Sequence, residues 1–110
     1  MTNKRLELPK GTFDLLILKA VSLEPLHGWG ISEPLQQASR DSVQVQQGSV
    51  YPAFHRLERP GWLKAKRKIG ENNRRAKYHE LPSQGRKQLE AETVAWRKLS
   101  TAVDHILDLA

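Results

Sequence analysis

The sequence contains no cysteine among its 110 residues. A disulfide framework, a thiolate metal site and a cysteine nucleophile are therefore excluded. Long apolar runs are also lacking, because the longest, Leu15 to Leu18, has four residues, whereas a transmembrane helix needs about 20. The first ten residues, MTNKRLELPK, lack the apolar segment of a signal peptide. We therefore expect a cytoplasmic protein with no membrane partner.

Motifs typical of enzymes are lacking as well. The chain has no Gly-rich phosphate loop, no GxSxG and no HExxH. Its four histidines (His27, His55, His79 and His105) lie at least 24 residues apart, so none forms a short-range ligand pair. We expect neither an enzyme, nor a metal site, nor a cofactor.

Positive charge is in excess and is concentrated in one stretch. Eighteen Lys and Arg against twelve Asp and Glu give a net charge of +6. Between Arg56 and Lys77 lie nine basic and two acidic residues, so this stretch carries +7 and the rest of the chain sums to −1. A local excess of this kind is typical of a surface that binds a polyanion.

Three short helices are predicted before the basic stretch. After a loose N-terminal arm of ten residues, Thr12 is a candidate cap for a first helix, which is apolar on more than one side. A second helix is expected from about Trp29 to Ala38, with Pro34 either moving its start toward Ser32 or kinking it. Ser49 is a candidate cap for a third helix, which Pro60-Gly61 ends.

The hydrophobic period then changes from that of a helix to that of a strand. From Trp62 to Leu81 it is two, which predicts a hairpin with its turn at Gly70 to Asn73 and with Leu63 and Leu81 packing on the core. A long last helix is expected from about Ser83 to Asp108. Its apolar residues follow a heptad spacing, namely Leu89, Trp96, Leu99, Val103 and Ile106.

Short helices followed by a basic hairpin indicate an α+β, mainly α, winged helix-turn-helix. We divide the chain into a winged-helix DNA-binding unit, residues 1–82, and a C-terminal dimerisation helix, residues 83–110. The third helix would enter the major groove, where Gln pairs with adenine and Arg with guanine, and the hairpin would contact the backbone or minor groove. The predicted DNA contacts are Gln47, Ser49, Tyr51, Pro52, His55, Arg56, Arg59, Lys66, Lys68, Asn72, Asn73, Arg74 and Arg75.

Four segments resemble the PadR family of bacterial transcriptional regulators. They are LPKGTFDLLILKAV, LHGWGI, QQGSVYPAFHRLERPGWLKA and ENNRRAKYHELPSQGRKQL, and the resemblance runs from about Leu8 to Leu107. It implies a homodimer that binds an operator through N-terminal winged helices, with the last helix packing on its counterpart in the partner. Ser49 and Tyr51 then match the recognition-helix motif. The single C-terminal helix resembles the short branch of the family.

The predicted dimer interface consists of apolar residues on the first and last helices. Its members are Leu15, Leu18, Leu89, Trp96, Leu99, Val103 and Ile106. Trp96 has two interpretations: it fills the seam between the helices, or it forms the floor of a ligand pocket in which a small aromatic effector stacks. The seam is the slightly favoured interpretation, and the pocket is a hypothesis from the resemblance, because PadR-like proteins are associated with phenolic and multidrug ligands.

Two functional classes remain open at this point. The first is a sequence-specific DNA-binding regulator, expected to be a repressor that binds a near-palindromic operator as a homodimer. The second is a basic winged-helix module that binds RNA or docks a protein partner, because the fold alone does not name its ligand. Stacking aromatics on an exposed sheet would favour RNA, and the hairpin offers only Trp62 and Tyr78.

Overall fold

The computed structural model describes residues 6–26, 30–69 and 75–110. The elements run β1 (Leu6–Glu7), α1 (Lys10–Leu23), α2 (Ser32–Ala38), β2 (Val43–Gln44), α3 (Val50–Glu58), β3 (Lys64–Ile69), β4 (Arg75–Glu80) and α4 (Ser83–Leu107). The fold is α+β and mainly α, a winged helix followed by a long C-terminal helix, as the sequence predicts. Across these described residues, every helix is too short or too polar to span a bilayer.

The predicted helix boundaries hold to within a few residues. Helix α1 begins at Lys10 instead of after Thr12, with Pro9 at the N-cap and no side-chain cap. Helix α2 begins at Ser32, which leaves Pro34 in its first turn, where proline is tolerated. Helix α3 follows a short 3₁₀ turn, Gln47–Ser49, and the Ser49 side chain makes no cap hydrogen bond. Gly61, at φ +83°, reverses the chain after α3.

Leu6 and Glu7, which lie within the predicted loose arm, form a strand. Strand β1 pairs in parallel with β2, Leu6 opposite Val43 and Glu7 opposite Gln44, and the amide of Leu6 donates to the carbonyl of Ser42 over 2.8 Å. Period analysis could not predict this pair, because each strand has only two residues. It holds the N-terminal segment against the loop that leads to α3.

One hydrophobic core joins α1, α3 and the base of the hairpin. Leu63 and Leu81, which flank β3 and β4, are both buried in it, as predicted. The start of α4 closes one side, because Gly85 is buried against the carbonyl of Trp62. The core residues are Phe13, Ile17, Leu18, Val21, Ile31, Val45, Val50, Ala53, Phe54, Leu57, Leu63 and Leu81.

Candidate nucleic-acid interface

Helix α3 is divided into a buried and an exposed face. Val50, Ala53, Phe54 and Leu57 are buried, at the i, i+3, i+4, i+7 spacing of an amphipathic helix. The opposite side exposes Tyr51, Pro52, His55 and Arg59 to solvent. This exposure agrees with the predicted DNA-contacting face, and contact with DNA stays a prediction.

Tyr51 is held in place although its side chain is 43% exposed. Its ring lies edge-on to that of Phe54, with centroids 6.4 Å apart and planes at 83°. Edge-to-face packing of this kind is favourable for aromatic pairs. An ordered and exposed hydroxyl is therefore available on α3 to donate to a phosphate.

Gln47 lies in the 3₁₀ turn that precedes α3, and its side chain also contacts α2. The hydroxyl of Ser32 donates to the amide oxygen of Gln47 over 2.7 Å. Bidentate pairing with adenine uses both the amide nitrogen and the amide oxygen of glutamine. Because the amide oxygen has two lone pairs, it can accept from Ser32 and from a base together, so this hydrogen bond is compatible with the predicted adenine contact of Gln47. Ser49, in the same 3₁₀ turn, is exposed.

Arg56 is partly exposed and pairs with an acidic residue of α1, and its predicted contact with DNA stays a prediction. Its guanidinium donates to both carboxylate oxygens of Asp14 on α1, over 2.7 and 3.2 Å. The position of Arg56, between the two faces of α3, lets the side chain reach back to α1. The ion pair joins α1 to α3 and uses two of the five N–H donors of the guanidinium.

The antiparallel hairpin of β3 and β4, hereafter the wing, presents cations on both faces. Its register places Ala65 opposite His79 and Arg67 opposite Lys77. Arg67 and Lys64 are exposed, whereas Lys66 forms a 2.7 Å ion pair with Glu80. Lys68 and Arg75 lie in the strands, opposite Ala76 and Ile69. The predicted contacts Asn72, Asn73 and Arg74 lie outside the described residues.

His79 and Glu58 form a contact between the wing and α3 that the sequence prediction missed. The Nε2 atom of His79 hydrogen-bonds a carboxylate oxygen of Glu58, and the imidazole is 2% exposed. Burial lowers the pKa of His79 below its ordinary value, and the adjacent Glu58 carboxylate opposes this in part. The alternating pattern of β4 could have predicted this burial, because His79 lies two residues before the buried Leu81 and on the same strand face.

The predicted dimer residues are found in three different environments. Leu18 is fully buried in the core of its own chain, so its assignment to the dimer interface is wrong: it has no surface left for a partner. Leu89 packs partly against the core. Trp96, Leu99, Val103 and Ile106 are 42 to 66% exposed and form an uncovered apolar stripe along α4.

A groove between α1 and α4 is lined mainly by apolar side chains. Leu15, Leu16, Leu89 and Trp96 form its walls, and Lys19 and Arg97 bring positive charge to it. We call it the α1–α4 groove. The predicted pocket residue Trp96 thus lies beside α1, and Leu15 shares the groove with it.

Comparison with known proteins agrees with the resemblance. Residues 17–91 match the transcriptional regulator PadR-like family. Transcriptional regulator Rv3488 of Mycobacterium tuberculosis is 29% identical over 97 residues, covering 88% of this chain and 87% of that protein. The crystal structure of a PadR-like transcriptional regulator from Bacillus cereus superposes with a TM-score of 0.77 at 27% identity, covering 92% of this chain and 96% of that one. The crystal structure of smu.1704 from Streptococcus mutans superposes with a TM-score of 0.81 at 25% identity, covering 96% of this chain and 94% of that one.

Proposed function

This chain belongs to the PadR-like family of transcriptional regulators, and we propose that it acts by binding duplex DNA sequence-specifically as a homodimer. In this proposal residues 1–82 form the DNA-binding unit and residues 83–110 the dimerisation helix. The regulator acts on DNA in the cytoplasm as a repressor, without cofactor or catalysis. Its similarity to transcriptional regulator Rv3488 and to the PadR-like regulator from Bacillus cereus supports a role in transcriptional regulation.

The observation that carries the proposal is the position of the cationic wing beside the exposed face of α3. Lys77 of β4 lies 3.7 Å from Glu58, at the C-terminal end of α3. In the proposal, one DNA duplex contacts Tyr51 on α3 and Arg59 at its C-cap together with Arg67 on the wing. A winged helix contacts the DNA groove through polar groups on a helix, and it contacts the phosphates through cations beside that helix.

The exposed stripe of α4 supports dimerisation. Trp96, Leu99, Val103 and Ile106 follow a heptad spacing and remain uncovered within the chain. A second copy of α4 would cover them, because the same stripe on both helices is self-complementary about a two-fold axis. A dimer would place its two α3 helices on successive turns of one DNA face, about 34 Å apart.

The α1–α4 groove supports a ligand-responsive regulator. Trp96 offers a flat ring for stacking, and Lys19 and Arg97 offer positive charge to a substituent on the ligand. This is the second interpretation of Trp96, in which its ring lines a ligand pocket and does not fill the seam, and we assign a small aromatic effector to the groove under that alternative. Absence of any change in tryptophan fluorescence or operator affinity when small aromatic compounds are added would count against it.

Selection from random duplex DNA tests the central proposal. The bound pool is sequenced, and the affinity for the enriched duplex is titrated against salt. We expect an enriched palindrome, and if each protomer neutralises about four phosphates the slope of log K against log salt is on the order of −7. Retention without an enriched sequence would instead favour an architectural or RNA-associated role, and absence of binding would refute the proposal.

Matched charge variants locate the DNA surface. Arg59→Ala with Arg67→Ala removes two exposed cations from α3 and the wing, whereas Lys87→Ala with Lys98→Ala removes two exposed cations from α4. Both double variants change the net charge by the same amount. We expect the first to weaken binding and to make the salt slope shallower by about 2 to 4 per dimer, while the second leaves it close to that of the unmodified protein.

A further inference from the structure

His79 lies where three parts of the fold meet. Its amide donates to the carbonyl of Leu26 over 2.8 Å, and its carbonyl accepts from the amide of Leu26 over 3.1 Å. Its side chain points the other way, toward α3, where its ring centroid lies 4.1 Å from that of Phe54. The residue therefore joins β4 to the segment after α1 and to the inner face of α3.

The polarity of this position needs an explanation. Among the residues that the structure describes, His79 is the buried polar side chain, and its Nδ1 atom has no hydrogen-bond partner there. Leaving a buried polar atom unpaired is destabilising. An apolar ring of the same shape would pack on Phe54 without that cost, so packing alone does not account for a histidine.

A hydrogen bond supplies the direction that packing lacks. Apolar contact is non-directional, whereas a hydrogen bond weakens steeply when its angle departs from linearity. The Nε2 atom of His79 bonds Glu58, the last residue of α3. The nearby Lys77 to Glu58 contact involves a lysine that is 48% exposed, and such pairs contribute little.

We propose that His79 is a positioning residue that fixes the angle of the wing relative to α3 through Glu58. The wing extends four residues beyond the Ala65 to His79 pair, to Ile69 and Arg75, or about 13 Å at strand spacing. A rotation of about 20° at His79 would then move the far end of the strands by about 4 to 5 Å, which exceeds the length of a hydrogen bond. The consequence for DNA contact rests on the proposed function.

Distances between spin labels test the proposal without DNA. Because the sequence has no cysteine, Arg59→Cys on α3 and Arg67→Cys on β3 give two defined labelling sites, both exposed. The labelled protein is mixed with excess unlabelled protein, so that a measured pair lies on one protomer. We expect a narrow distance distribution in the otherwise unchanged chain and a broader or displaced one in His79→Phe, which keeps a ring and lacks the donor.

Three further variants separate positioning from simple stability. His79→Gln keeps an N–H group for Glu58, and Glu58→Gln keeps an oxygen for His79, so both should retain a narrower distribution than His79→Phe. Glu58→Ala should give a broadened or displaced distance distribution like that of His79→Phe. If His79→Phe does not fold, Glu58→Ala serves as the test variant in its place. His105→Phe, at an exposed site on α4, is the control and should change nothing.

DNA affinity provides the second measurement, made on unlabelled protein. With the selected duplex, His79→Phe should bind about tenfold more weakly, a change of about 1.4 kcal/mol, with a salt slope shallower by about 2 because one wing contact per protomer is lost. Unchanged label distances in both His79→Phe and Glu58→Ala would overturn the positioning role. If the unmodified protein binds no duplex while the distances do broaden, the proposed function fails and the role of His79 stands.

Discussion

Asp14 and Arg56, 42 residues apart in the sequence, form a two-pronged ion pair that joins α1 to α3. The shorter contact, 2.7 Å, links side chains that are 18% and 31% exposed. Two parallel N–H to oxygen bonds fix the orientation as well as the separation of the groups. Because α1 also lines the α1–α4 groove, this pair connects the wall of that groove to the proposed recognition helix.

We expect the Asp14 to Arg56 pair to contribute measurably to stability. Asp14→Ala and Arg56→Ala should each lower the free energy of unfolding by about 1–2 kcal/mol, because hydrogen bonds between charged groups exceed neutral ones. Urea denaturation of the single and double variants gives the coupling energy, expected at about 1 kcal/mol. The control cycle on Lys66 and Glu80, with side chains 48% and 31% exposed, should give less. Additive losses at Asp14 and Arg56 would show that the pair is not coupled.

The helices and strands could be predicted from the sequence wherever one hydrophobic period or a proline determines where an element lies. Proline is tolerated only in the first turn of a helix, so Pro52 agreed with a start of α3 after Ser49, whereas Pro34 left two interpretations of α2, of which the start at Ser32 is confirmed. Alternation predicted the strands of the wing, and the heptad spacing predicted α4. These patterns are local in the sequence, so they do not depend on which other helix or strand an element packs against.

The errors and omissions come from contacts between distant residues. On α1, apolar on several sides, periodicity could not distinguish Leu18, which faces its own core, from Leu15, which faces the α1–α4 groove. The ion pair of Arg56 with Asp14 was not predicted, because a helix face alone does not show that a long side chain at its edge reaches another helix. His79 was considered only as a metal ligand, although its strand face already placed it inward.

Stability should depend on pH through His79. Burial lowers the pKa of this imidazole in the folded state, so the unfolded chain takes up a proton at a higher pH than the folded one. The contribution to stability is then complete above about pH 6.5 and is lost as the pH falls from there through the lowered pKa, with a slope of at most about 1.4 kcal/mol per pH unit.

Urea denaturation between pH 7.5 and 5 measures this dependence. His79→Phe should flatten the curve in this range relative to the unmodified protein, and His105→Phe, at an exposed site, should not. Parallel curves for the unmodified protein and His79→Phe would contradict the assignment, since other titrating groups would then account for the whole effect.

Gly85 is fixed by a close approach of two backbones. A Cβ atom at this position would lie 2.0 Å from the carbonyl oxygen of Trp62 and 2.6 Å from Cδ1 of Leu81. Gly85→Ala should therefore destabilise the fold by about 1–3 kcal/mol or more, even though alanine favours a helix by about 1 kcal/mol. Gly11→Ala is the matched control, because no atom lies within 4 Å of its Cβ position. That variant should be unchanged or up to about 1 kcal/mol more stable in urea denaturation.

The apolar stripe of α4 should control the oligomeric state. Leu99 and Val103, one helical turn apart, are 63% and 42% exposed, and a charge on each would place like charges on both helices of a symmetric seam. Leu99→Lys with Val103→Lys should therefore yield a monomer by light scattering, with weaker binding to the selected duplex because only one recognition helix remains per molecule. Leu23→Lys, which changes a leucine at the end of α1 that is 72% exposed, should leave the mass of the dimer unchanged. An unaltered dimer mass in the α4 double variant would place the dimer interface elsewhere on the chain.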